Sequence, residues 1–203
     1  MALTPDEFYR HALAAADDEQ RLPPPAMVEW EISALERDGL KVSRLWPPVL
    51  PEAPRQGDDP AECSSCAQRD TGLWLDEHWR LSRIPEAGVP LILMLHPRDH
   101  HDLEDLPDER AAELGVLTRH LSRHIQALPG VTRSHVYRFG DGASHLHFWF
   151  VAKPQGQSQV RGSWLMMWDD VLPTYPEDVA DADAALVVDA LVESYGGSKG
   201  VRQ

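Results

Sequence analysis

Both cysteines of this 203-residue chain stand in one tetrad, Cys63-Ser64-Ser65-Cys66, and that spacing constrains the fold more than any other feature. Two thiolates separated by two residues can face one metal ion, and zinc then needs two further nitrogen or sulfur ligands to close a tetrahedron. No cysteine remains, so histidines must supply them. The alternative is a redox dithiol or a pair of idle thiols. A redox C-x-x-C normally opens a helix in a thioredoxin-like unit, and the strand and helix pattern around Cys63 does not fit one. In a reducing compartment the tetrad reads as a metal clip or a dithiol rather than a structural disulfide.

Charge narrows the partners. With 19 Lys and Arg against 33 Asp and Glu the formal net charge is -14, so the surface field repels nucleic-acid polymers and anionic membranes. A small anion remains admissible where a pocket is locally basic or lined by helix dipoles. The opening MALTPDEFYR has no basic stretch followed by an apolar one, and no apolar run approaches membrane-spanning length, which predicts a cytoplasmic protein. The chain is expected to form a single domain over 1–203, with a core over about 63–154, an N-terminal extension 1–62 and a C-terminal extension 155–203.

Local patterns place the elements. Thr4-Pro5-Asp6-Glu7 combines an N-cap, proline at the first helical position and a capping-box glutamate, predicting a helix to about Gln20. Residues 28–50 read as short strands, and 51–62 as a proline-rich acidic loop. A hairpin is expected over Gly72 to Arg83, and a buried strand over Val89 to Leu95. From Pro107 to Leu128, the stripe Leu114, Leu117, Leu121, Ile125, Leu128 predicts a long amphipathic helix stopped by Pro129-Gly130. Strands over 133–139 and 145–153 should then flank a short turn at Gly140-Asp141-Gly142. In the second, a two-residue period sends Leu146, Phe148 and Phe150 to the core and His145, His147 and Trp149 to the opposite face. A last helix is predicted from about Pro176 to Tyr195, capped by Gly196-Gly197.

The stretch Leu93-Met94-Leu95-His96-Pro97-Arg98-Asp99-His100 runs from a strand into a proline turn, and Leu103 and Leu106 lead to the long helix. It resembles the strand, P-x-x-H turn and L-x-x-L approach of the histidine-triad superfamily, and His145-Leu146-His147-Phe148-Trp149 resembles that family's H-x-H-x-H strand. The order C-x-x-C, P-x-x-H, helix, H-x-H is similar to the zinc-containing branch, which includes galactose-1-phosphate uridylyltransferase, across roughly residues 63–154. The resemblance implies an α+β fold: a HIT-like antiparallel sheet with a long packed helix, here with helical extensions at both ends. It implies a structural zinc ion held by Cys63, Cys66, His100 and His145, with His147 as the catalytic nucleophile. The activity implied is nucleotidyl transfer or hydrolysis on a small nucleotide conjugate through a nucleotidyl-histidine, and the assembly implied is a homodimer.

The third triad position, usually His or Gln, is Trp149, which offers a single indole N–H donor. That departure opens a second reading, a degenerate module that binds a nucleotide or partner protein without turnover. A third, a metal-activated water, requires an open coordination position that four protein ligands would fill. Taken alone, without the motif around it, His147 reads as a half-buried strand histidine with a satisfied hydrogen bond. His96 and His101 stand beside the turn as alternative ligands, and His120 and His124, four apart on the long helix, as edge-of-core residues. Trp164 and Trp168 are expected in the core, and Arg98, Lys153 and Arg161 are the basic residues nearest in sequence to the site.

Overall fold

The computed structural model describes residues 3–18, 21–23, 35–36, 41–42, 53–158 and 160–200. Helix α1 covers Pro5–Leu13 and starts as predicted, with Thr4 and Glu7 forming a reciprocal capping box. It ends well short of Gln20, which lies outside the described residues. Beyond it the Asp17 carboxylate accepts from the Arg21 N–H at 2.9 Å, a local bond that competes with helical pairing. Of the strands expected over 28–50, the described residues include β1 (Leu35–Glu36) and β2 (Lys41–Val42), an antiparallel pair.

A short helix α2 (Ser64–Ala67) follows, and then the main sheet begins with β3 (Trp74–Leu75) and β4 (Trp79–Arg83), the expected hairpin. The remaining elements are β5 (Ile92–Pro97), α3 (Asp108–Gln126), β6 (Val131–Tyr137), β7 (Phe148–Pro154), α4 (Leu165–Val171), α5 (Glu177–Ser194) and β8 (Ser198–Lys199). Six strands pair antiparallel in the order β6-β7-β5-β4-β3-β8. The class is therefore α+β, an antiparallel sheet with a long packed helix. β5 begins three residues later than expected, because the Gly88 and Val89 N–H groups donate to the Asp169 carboxylate rather than to a strand.

The strand period sorts the sheet into two apolar faces. One carries Trp79, Leu81, Leu93, Leu95 and Phe150, and receives the predicted stripe of α3 together with Ala184, Val187, Val188 and Leu191 of α5. The other carries Ile92, Trp149 and Val151 and packs against Phe8 of α1, Leu165 of α4 and Tyr175. The segment after residue 154 thus supplies core residues and an edge strand. At that edge the Trp74 indole N–H donates to the Gly196 carbonyl at 2.9 Å, and a Cβ on Gly197 (φ +79) would meet the same ring at 2.6 Å. No helix among the described residues is long and apolar enough to cross a membrane.

Leu121 sits at the centre of the first face with none of its surface exposed. Leu121→Ala is expected to cost about 2–5 kcal/mol, the range for a buried leucine truncated inside a packed core. Chemical denaturation of both proteins measures it, and a loss under about 1 kcal/mol would mean that the site collapses around the missing methyls. Trp164 corrects the sequence reading: it is 60% exposed on a 3-10 turn ahead of α4, while Trp168 packs on the second face as expected.

Candidate functional site

His145 and His147 precede β7 rather than lying on it, since pairing with β5 starts at Phe148 opposite Leu95. Their segment takes its hydrogen bonds from the proline turn instead. The Leu146 N–H donates to the His101 carbonyl at 2.7 Å, and His145 Nε2 lies 2.9 Å from the Pro97 carbonyl oxygen. Alternation survives, with Leu146 in the core and the two histidines turned away from it.

The connection from β6 is longer than the short turn predicted, because residues 138–147 are drawn out to meet the segment before Cys63. The Gln56 N–H donates to the Gly142 carbonyl and the Ser144 N–H to the Gln56 carbonyl, each at 3.0 Å, forming a parallel bridge. Buried Asp102 fastens this loop from below. It accepts from Arg55 at 2.6 Å and from Arg138, and Arg55 also donates to the Gly140 carbonyl at 3.1 Å. Burial alone would raise the Asp102 carboxyl; the Leu103 N–H and both arginines outweigh it and hold it below the ordinary range.

These contacts bring the chain's two cysteines to two histidines. The ligand atoms of Cys63, Cys66, His100 and His145 all lie within 4.8 Å of one another, a grouping that can hold a metal ion. Cys63 Sγ is 3.4 Å from His145 Nδ1, while Cys66 Sγ is 3.3 Å from His100 Nδ1 and 3.5 Å from His145 Nδ1. Bond lengths of about 2.3 Å to sulfur and about 2.0–2.1 Å to nitrogen give a tetrahedral S···N edge of about 3.6 Å, so the donor set fits zinc. Because a carbonyl only accepts, Nε2 of His145 carries the proton and Nδ1 presents its lone pair to the cluster. Gly57 lets the preceding chain pass: its φ is +84, and a Cβ there would lie 3.2 Å from Cys63 Sγ.

Burial first, then the hydrogen bond and charge of Cys63, push the Cys66 thiol up to about 11, so it is protonated at neutral pH without metal. Zinc uptake must therefore release at least that proton. The apparent affinity is expected to rise about tenfold per pH unit for each proton released, and to weaken as pH falls. Competition titrations with a zinc chelator across neutral pH check this, and a pH-independent affinity would contradict it.

His147 stands next to the cluster. Its Nδ1 lies 2.9 Å from the His145 carbonyl oxygen and so donates to it, leaving the lone pair on Nε2. His96, placed by the sequence as an alternative ligand, stands outside the four-residue group. It is buried on the same face, with ring centroids 6.3 Å from His145 and 6.2 Å from His147. Burial first, and then Arg80 and both neighbouring histidines, hold His96 well below the ordinary imidazole range. His101 pairs with Asp105 at 3.8 Å, and His120 and His124 meet Ser194 across the α3–α5 contact at 3.1 and 2.8 Å.

Trp149 is half-buried in the second apolar cluster, and its indole nitrogen is buried with no hydrogen-bond partner among the described residues. The basic residues nearest in sequence do not converge here. Arg98 pairs with Asp70 and binds the Asp76 carbonyl at 2.8 Å, while Lys153 binds the Gln157 carbonyl at 2.8 Å and Arg161 is exposed. Arg55, Arg138 and Arg80 are the arginines around the site that sequence reasoning missed. Arg55 and Arg138 meet Asp102 from 47 and 36 residues away, distances over which no local pattern speaks.

No family profile and no curated protein matches this chain. Among solved structures it is similar to a zinc-bound histidine triad family protein from Mycobacterium smegmatis, with TM-score 0.49 and 17% identity, covering 66% of this chain and 95% of that one. A histidine triad protein from Marinobacter aquaeolei VT8 gives TM-score 0.48 and 21% identity over 61% of this chain and 90% of its own. A uridylyltransferase mutant gives TM-score 0.41 and 22% identity, covering 64% of this chain and 48% of that one.

Proposed function

We propose that the protein is a zinc-containing, histidine-triad-like nucleotidyl hydrolase or transferase in which His147 is the nucleophile. The observation that carries this reading is the chain of contacts at His147. Its Nδ1–H is committed to the His145 carbonyl, and His145 belongs to the group that can hold a metal ion. A metal bound by Cys63, Cys66, His100 and His145 would be structural, closing three segments around the base of the site. The imidazole of His147 is thereby oriented, with one unprotonated nitrogen free to attack.

In the proposed step the Nε2 lone pair forms a bond to the phosphorus of a nucleoside monophosphate group, and the bond from phosphorus to the leaving oxygen or nitrogen breaks with its electron pair. The leaving group takes a proton from solvent. Water then attacks the same phosphorus and releases a proton to solvent, the P–N bond returns its electrons to His147, and a nucleoside monophosphate departs; an acceptor phosphate in place of water gives transfer. The substrate class is a nucleoside monophosphate carried in an ester, anhydride or phosphoramidate. The net charge of -14 makes a nucleic-acid polymer an unsuitable partner.

Trp149 favours a second reading. Its buried indole N–H is not presented to a ligand, so the third triad position supplies no polar contact to a phosphate, as a module that binds a nucleotide or partner protein without turnover would tolerate. Incubation with nucleoside phosphoramidates, dinucleoside polyphosphates and nucleotide sugars separates the two. The nucleotidyl reading expects product and, on acid-free quenching, a mass increase of one nucleotidyl group on the protein. Inactivity across the panel with retained nucleotide binding would favour the module.

A further inference from the structure

Arg80 is 3% exposed, its Nε is buried without a hydrogen-bond partner, and its side chain makes no ion pair among the described residues. A largely buried guanidinium with no carboxylate beside it opposes folding, and an anion is the usual remedy. The groups whose negative charge would favour its charged form are the thiols of Cys63 and Cys66. They do not neutralise it, because two thiolates and two neutral imidazoles around a divalent ion sum to zero.

The side chain instead lines a cavity of about 270 Å³, together with Gln68, Thr71, Ser82, Arg83 and Asp181. Arg83 is already balanced, since it pairs with Glu177 at 2.5 Å and Asp181 at 3.0 Å. The uncompensated charge at this cavity is that of Arg80. Register places the cavity beside the nucleophile: Arg80 of β4 lies opposite His96 of β5, and the His96 ring is 6.2 Å from that of His147. The row His147, His96, Arg80 crosses two strand spacings, about 10 Å.

We propose that this cavity is a phosphate subsite built on Arg80, with the Ser82 hydroxyl as a second donor. Resting on the nucleotidyl-transfer reading, it narrows the substrate to a conjugate bearing a second phosphate about 10 Å across the sheet from the phosphorus that meets His147. The guanidinium fork suits two phosphate oxygens at once, and a cavity of this size has room for the group that carries them.

The probe is inorganic phosphate, with chloride at matched ionic strength as control, read as melting temperature of the zinc-loaded full chain. Wild type and His147→Ala are expected to melt about 3–6 °C higher for each tenfold increase of phosphate above its Kd. Arg80→Met should lose that rise and, without phosphate, melt at or above wild type, because an apolar isostere relieves the buried charge. Arg80→Lys keeps a cation but not the fork, and should need at least about tenfold more phosphate for the same rise. A rise retained in Arg80→Met, or absent from wild type, overturns the subsite; so does an Arg80→Met protein that melts well below wild type, which would make the arginine structural. The rise does not depend on a nucleotidyl adduct. An Arg80-dependent rise without any adduct in the substrate panel would therefore uphold the subsite and remove the nucleotidyl reading.

Discussion

Cys63→Ser is expected to leave the purified protein short of zinc and to lower its melting temperature by roughly 5–11 °C. The wild-type protein should carry about one zinc per chain. A metal present at even 100 times its Kd contributes about 2.7 kcal/mol to folding, and for a chain of this size each kcal/mol is worth about 2–4 °C. Cys63 is also buried, so the serine hydroxyl would face the cluster as a poor ligand in a place where water does not reach. Elemental analysis with a thermal melt checks both halves. If the metal-free wild type melts where the zinc-treated one does, the four-residue group has no structural role.

His147→Ala should then remove the chemistry while sparing that scaffold. Turnover on any substrate found in the panel is expected to fall by about 10³-fold or more, equivalent to about 4 kcal/mol of barrier, because a covalent route loses its nucleophile. Zinc content and melting temperature should hold, since His147 is only half-buried and its hydrogen bond is to a neighbouring carbonyl. Turnover that persists in the variant would eliminate the nucleotidyl-histidine. Trp149→His is a weaker probe, because the indole also packs in the second apolar cluster and its removal carries a packing cost.

What the sequence made legible follows from the range of each signal. The Cys63–Cys66 spacing and the stripe of α3 are local, and both survive into the structure as a grouped thiol pair and a buried helix face. The two-residue alternation around His145 and His147 also holds, although the strand itself starts at Phe148. That boundary was set by a remote event, the capture of Leu146 and His145 by the 97–101 turn. Asp102 with Arg55 and Arg138 was invisible for the same reason, as was Arg80, whose significance rests on the carboxylate that no described residue places beside it.

The placement of α5 and β8 has a consequence for how the chain is made. The five strands made first, with the apolar stripe of α3, need Ala184, Val187, Val188 and Leu191 to cover them, and β3 needs Ser198 and Lys199 along its edge. At about 5–20 residues per second, a ribosome takes about 2–9 s to go from the end of β7 to β8. Throughout that interval the apolar flank of α3 and the edge of β3 stay uncovered, surfaces of the kind that chaperones bind during synthesis.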